Sequence, residues 1–175
     1  MIMTDALHTD RLALRPIALE HKQAIIPLIS DRQVARNLLR VPYPYLDHHF
    51  DEFVAKISGS DTDAVFSIFI RDEERLCGGI GLHLAPEHNR AEVGYWVGLP
   101  FWGRGYATEA ARAVVGYGFD QLKLNRIFAS HFSGNDASGR VLQKLGMKPE
   151  GRLIKHVLRL GEYRDVLLYG MVRED

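Results

Sequence analysis

Trp102-Gly103-Arg104-Gly105-Tyr106-Ala107-Thr108-Glu109-Ala110 follows an apolar run, Val93-Gly94-Tyr95-Trp96-Val97, and opens a segment with helical spacing. A glycine-rich turn between a strand and a helix aims unpaired backbone N–H groups at one point, with the positive end of the helix dipole behind them. Without a Cβ in the way, the backbone can approach a ligand closely. An anion such as a pyrophosphate suits such a point. Ala107, Ala110, Ala111, Val114, Val115 and Gly118 recur at helical spacing and form a small-residue face fit to lie on a sheet.

Two common phosphate binders are excluded by the same residues. A Walker A loop ends in Gly-Lys-Ser/Thr, and Arg104-Gly105-Tyr106 does not. A dinucleotide fingerprint needs a third glycine and an acid roughly 20 residues on. Here residue 108 is Thr, and Lys123-Leu124-Asn125-Arg126 holds no acid.

Outward from this turn, residues 11–17 alternate as a first strand. Leu19 to Ile29 and Asp31 to Leu39 read as helices, the second broken by Pro42-Tyr43-Pro44-Tyr45. Asp47 caps a helix running to about Ile57. Val65–Arg71, Arg75–Leu84 and Ala91–Gly98 read as strands, as does Arg126–Phe132. Asp136–Leu145 is a helix stopped by Gly146, and 152–160 with 163–172 form a closing hairpin. Mostly antiparallel strands with one βα crossover predict a mixed α/β (α+β) sheet in a single domain over 1–175.

Lys+Arg and Asp+Glu both number 22, so no basic excess suggests a nucleic-acid partner. The polar N-terminus and the lack of a long apolar run predict no membrane span and a cytoplasmic location. The lone Cys77, in a glycine-rich strand, reads as a small apolar core residue. The eight histidines show no metal-ligand spacing, so no metal is expected.

As a whole the pattern resembles the GNAT (Gcn5-related N-acetyltransferase) superfamily, and within it the Rim-type acetyltransferases of ribosomal-protein N-termini. Three stretches carry the likeness: Glu92-Val93-Gly94-Tyr95-Trp96-Val97 with the glycine turn; Asn135-Asp136-Ala137-Ser138 with Lys144-Leu145-Gly146-Met147; and Gly161-Glu162-Tyr163-Arg164-Asp165 with Tyr169-Gly170. Two positions depart from it. Pro100 stands where Gln or Arg often begins the turn, and Leu142 where a tyrosine often serves as general acid.

The resemblance implies a mostly antiparallel sheet splayed at its middle, with helices on both faces. It also implies acetyl transfer from acetyl-CoA to a primary amine, by direct attack in a ternary complex. The backbone from Trp102 through Gly103, Arg104, Gly105 and Tyr106 to Ala107 would hold the pyrophosphate, with the Arg104 side chain an optional contact. Tyr95, Trp96 and Val97 would line the pantetheine arm on one side and Asn135 on the other, Asn135 reading equally as a helix N-cap. Glu92 is the leading base, with His83 and His131 behind it. Ser138 would serve the departing sulfur in place of the missing tyrosine. Tyr43 and Tyr45 would wall the acceptor site, opposite the hairpin at 160–163. With no dense acidic cluster there, a polycationic acceptor is disfavoured. A protein or peptide α-amine leads, a small-molecule amine follows, and a non-catalytic acyl-CoA-binding module stays open. A monomer or homodimer is expected.

Overall fold

Leu12 and Leu14 face one side of a strand and Ala13 the other, yet all three are buried. The sheet they enter is therefore covered on both faces. The computed structural model describes residues 5–173. Their order is β1 (Leu7–His8), β2 (Leu12–Pro16), a 3-10 turn, α1 (Lys22–Ile29), α2 (Arg32–Ala35), α3 (Asp47–Ser58), β3 (Asp63–Ile70), β4 (Arg75–Ala85), β5 (Arg90–Val97), α4 (Tyr106–Asp120), β6 (Arg126–Phe132), α5 (Asp136–Lys144), β7 (Lys148–Arg159) and β8 (Glu162–Val172). The sheet order is β1-β2-β3-β4-β5-β6-β8-β7. Only β5 and β6 run parallel.

α4 and α5 cover one face, where Phe66, Ile68, Ile80, Leu82, Val93 and Ile127 meet Ala110, Ala111, Val114 and Leu142. α1 and α3 cover the other, where Ala13, Phe69 and Leu76 meet Ile25, Ile29, Phe50 and Val54. The α+β sheet with helices on both faces is thus as the sequence predicts. Among the described residues no helix is long and apolar enough to cross a membrane.

The sequence reading lacks β1 and places two other boundaries four residues away, while the remaining ends agree within three. β1 is only two residues long and exists through pairing with Ala13 and Leu14. α2 stops at Ala35 rather than Leu39. The Arg159 guanidinium donates to the Ala35 carbonyl from Nε (3.1 Å) and Nη2 (2.8 Å), a long-range cap that local sequence does not reveal. β7 begins at Lys148 because a register shift between Pro149 and Gly151 absorbs two residues that discourage a regular strand.

At Gly118, α4 lies tight against the sheet. A Cβ there would lie 2.7 Å from Ile127 Cδ1 and 3.2 Å from Leu82 Cδ1. Gly118→Val should destabilise the fold by about 1–3 kcal/mol through overpacking. A lowered urea midpoint with an unchanged slope would show it.

Candidate active site

β5 pairs with β4 along its whole length, from Arg90 to Val97. With β6 it pairs only at Arg90–Glu92, while β6 stays on β8 from Arg126 to Phe132. The sheet therefore opens between Val93–Val97 and Ala129–Phe132. Backbone groups left unpaired on facing strands are ready partners for an extended ligand rich in amides.

The glycine turn stands at the open end of β5. A 3-10 turn over Leu99–Phe101 follows Gly98, and the Trp102 amide donates to the Leu99 carbonyl at 3.2 Å. The Trp102 indole Nε1 donates to the Val97 carbonyl at 2.7 Å, bracing turn against strand. Trp102 thus spends its own amide, and the free run starts one residue later than the sequence suggests. From Gly103 to Thr108 no amide has an acceptor among the described residues. Gly103 (φ 74°) and Gly105 (φ 81°) are left-handed, a conformation costing other residues roughly 1–2 kcal/mol. A Cβ on Gly103 would meet nothing within 4 Å, so the space in front of this turn is open.

This turn is anchored from the far edge of the sheet. Glu109, in the first turn of α4, accepts from Thr9 Oγ1 (2.6 Å), the Arg11 amide (2.9 Å) and Arg11 Nε (2.7 Å). Arg11 Nη1 also donates to the Arg104 carbonyl at 3.0 Å. Tyr106 is buried beneath Arg11, so it offers a ligand its amide alone, and the Arg104 side chain is exposed. Burial pushes the Glu109 carboxyl up, but the bonds from Thr9 and Arg11 and the arginine charge outweigh it and hold it below the usual range. Its stabilisation is therefore full above the unfolded value of about 4.3 and fades as pH falls through the folded one. Glu109→Gln should cost about 1.5–3 kcal/mol at neutral pH. The gap should shrink on acidification, as parallel denaturant curves at pH 7 and pH 3 would read.

On the α5 side of the opening the Tyr95 hydroxyl lies 2.8 Å from Ser138 Oγ and 3.2 Å from the Ser138 carbonyl. Burial pushes the Tyr95 phenol up to about 12, the bond to Ser138 pulling the other way. Asn135 caps α5 through its Oδ1, 3.4 Å from the Ser138 amide. Its Nδ2 makes no bond among the described residues and is available to a ligand carbonyl. Leu142 is fully buried between α5, α4 and the sheet, so no acid belongs at that position. Sequence reasoning gave Tyr95 only backbone work; its phenol was missed because Ser138 is 43 residues away.

A family model described as an acetyltransferase (GNAT) domain matches residues 11–148. The uncharacterized N-acetyltransferase YoaA of Bacillus subtilis is 35% identical over 181 residues, covering 98% of each chain. The chain belongs to the GNAT family of acetyltransferases. The crystal structure of a GNAT-family acetyltransferase from Bacillus anthracis shares its fold with a TM-score of 0.86 and 28% identity, covering 98% of this chain and all of the other. RimL, a ribosomal L7/L12 alpha-N-protein acetyltransferase solved with coenzyme A, shares the fold at 18% identity with a TM-score of 0.86, over 96% of this chain and 98% of its own.

On the opposite face this acetyltransferase carries Glu92, beside Trp96 in the alternation, as the sequence predicts. Arg40 Nη2 donates to Glu92 Oε2 at 2.7 Å, a partner that no local pattern announces. Trp96 lies over Gly79, where a Cβ would come within 2.7 Å of its Nε1. Tyr43 is exposed, but Tyr45 is 7% exposed and packs with Ile25, Ile29 and Phe50. The structure thus corrects Tyr45 from cleft wall to core residue: it lies among side chains of α1 and α3. His131 is buried with Nδ1 on the Phe132 carbonyl (2.9 Å) and Nε2 unpartnered beneath Gly139. That places it under α5, away from the Glu92 face. Cys77 is fully buried and its thiol is pushed up to about 12 by desolvation, which suits a core residue and not a nucleophile. Among the described residues no group of three metal-ligating side chains gathers.

Proposed function

We propose that this GNAT enzyme transfers an acetyl group from acetyl-CoA to the α-amine of a protein or peptide. The observation that carries the reading is the run of six unpartnered amides from Gly103 to Thr108, at the end of a strand that has left its neighbour. Acetyl-CoA supplies a thioester carbonyl and a thiolate leaving group. The Gly103–Thr108 amides hold its pyrophosphate, with the α4 dipole in support. The free edge of β5 at Tyr95–Val97 and the Asn135 Nδ2 meet the amides of its pantetheine arm. Tyr95 orients the Ser138 hydroxyl, which donates a hydrogen bond to the departing sulfur.

Glu92 receives the incoming ammonium and accepts its proton, directly or through water. An α-amine has a pKa near 8 against about 10.4 for lysine, so removing its proton asks less of a carboxylate. Beside Glu92 stands the exposed Arg40, and the same segment carries the exposed Arg32, Arg36 and Tyr43. A cationic segment of this kind disfavours polyamines and suits neutral or acidic peptide ends. Thiol release measured over peptides, amino acids and polyamines tests the acceptor class. Turnover confined to peptide α-amines is expected, whereas faster turnover of polyamines would overturn the acceptor class. Binding of acetyl-CoA with no turnover of any amine would overturn catalysis itself. Glu92→Gln should lower kcat/KM by roughly 10²-fold at neutral pH. The deficit should narrow at high pH, where the acceptor arrives as free amine.

A further inference from the structure

Strand register lines up a row of polar side chains behind Glu92. Asp63 on β3 stands opposite His83 on β4, and His83 stands opposite Glu92 on β5. Residues directly opposite across antiparallel strands hold their Cβ atoms about 4.5–5.5 Å apart on one face. His83 Nδ1 and Asp63 Oδ1 are 2.5 Å apart. The second Asp63 oxygen accepts from Ser60 Oγ at 2.6 Å. Burial pushes the Asp63 carboxyl up, but the bonds from Ser60 and His83 and the charges of His83 and Lys56 outweigh it and hold it below the usual range. An ionised carboxylate can only accept, so in the neutral form of His83 the proton sits on Nδ1 and Nε2 presents a lone pair. No described residue bonds to Nε2. The His83 side chain is 35% exposed, whereas Asp63 is 13% exposed and held in place.

We propose that His83, oriented by Asp63, is the proton acceptor of the transfer, taking over from Glu92 the proton that the amine sheds. This rests on the transferase reading and deepens it. The charged groups facing the row are Asp63 with Lys56 of α3 behind it, Glu92 with Arg40 on it, and Arg90 and Arg126, whose guanidinium groups lie over the Phe128 ring beyond Glu92, Arg126 being paired with Glu150. Arg40 Nη2 holds one oxygen of Glu92 at 2.7 Å and leaves the other to relay the proton toward His83. Asp63 and Glu92 flank His83 on the neighbouring strands. The protons balance as follows. The ammonium gives one proton through Glu92 to His83 Nε2, and thence to solvent. The amine nitrogen then bonds the carbonyl carbon, the C–S bond breaks, and the electron pair leaves on sulfur. The second nitrogen proton ends on that sulfur, giving the amide and the free thiol.

The test compares kcat and acceptor KM of wild type, His83→Gln, Asp63→Asn and Glu92→Gln at pH 7 and pH 9.5, with acetyl-CoA affinity and thermal midpoint as controls of folding. His83→Gln should lose roughly 10²-fold in kcat at pH 7 with acceptor KM unchanged, and recover most of it at pH 9.5. Asp63→Asn should show the same pH-dependent loss, because it frees the wrong tautomer. Glu92→Gln should raise acceptor KM as well. Wild-type kcat at pH 7 in His83→Gln, or an equal loss at both pH values, would overturn the proposal and leave Glu92 as sole base. A wild type that binds acetyl-CoA but acetylates no amine would instead overturn the transferase reading.

Discussion

Gly105→Trp should weaken acetyl-CoA binding at least 100-fold while leaving the fold in place. Two separate costs add. Gly105 sits at φ 81° as the N-cap of α4, so any other residue there is strained. That strain costs about 1–2 kcal/mol and is charged to the fold. The indole then occupies the approach that the pyrophosphate needs, and the bonds from the Gly103–Thr108 amides are lost. Charge-assisted hydrogen bonds contribute about 1.5–3 kcal/mol each, so losing two costs about 3 kcal/mol or more. At about 1.4 kcal/mol per decade that exceeds 100-fold in Kd. Gly105→Ala separates the two costs, since its Cβ meets only the Arg11 guanidinium, at 3.4 Å. It should show most of the lost stability and less of the lost affinity. Calorimetric titration with acetyl-CoA reads one and thermal melting the other.

Ser138→Ala should lower kcat by roughly 10²-fold with the KM for acetyl-CoA nearly unchanged, because the serine acts on sulfur only as the C–S bond breaks. Tyr95→Phe should lower kcat in the same direction by less, since it removes the group that sets the serine hydroxyl's direction and leaves the hydroxyl itself. The two hydroxyls share one bond, at 2.8 Å. Their effects should therefore be non-additive, and the double variant should be little worse than Ser138→Ala alone. Additive losses would mean that the two groups act separately. Leu142→Tyr should not restore an acid: that site is a filled core position, and the larger ring costs about 1–3 kcal/mol of stability.

Local chemistry made much of this molecule legible in sequence. Glycines 103 and 105 announced a turn that only glycine adopts easily, and both are left-handed. The small residues of α4 announced a helix pressed on a sheet, and Ala110, Ala111 and Val114 are buried there. Alternation put Glu92 and Trp96 on one face, where the structure has them. What stayed hidden depends on contacts far apart in the chain. Arg40 reaches Glu92 across 52 residues, and Arg159 caps α2 across 124. The Asp63–His83–Glu92 row exists only once register is fixed, since a one-residue slip would turn His83 to the other face. Tyr45 misled for a related reason. Prolines and aromatics suit both a cleft wall and a helix connection, and packing alone chooses between them.

The proposed transfer depends above all on the Gly103–Thr108 amides gripping the diphosphate of the coenzyme. Amide resonances of this segment followed by NMR during titration with coenzyme A, and separately with acetyl-pantetheine, address that directly. The account predicts that coenzyme A moves these six amides strongly downfield and slows their hydrogen exchange, whereas acetyl-pantetheine leaves them in place and perturbs Tyr95–Val97 instead. Coenzyme A that binds tightly while the Gly103–Thr108 amides stay unshifted and exchange as before would contradict it.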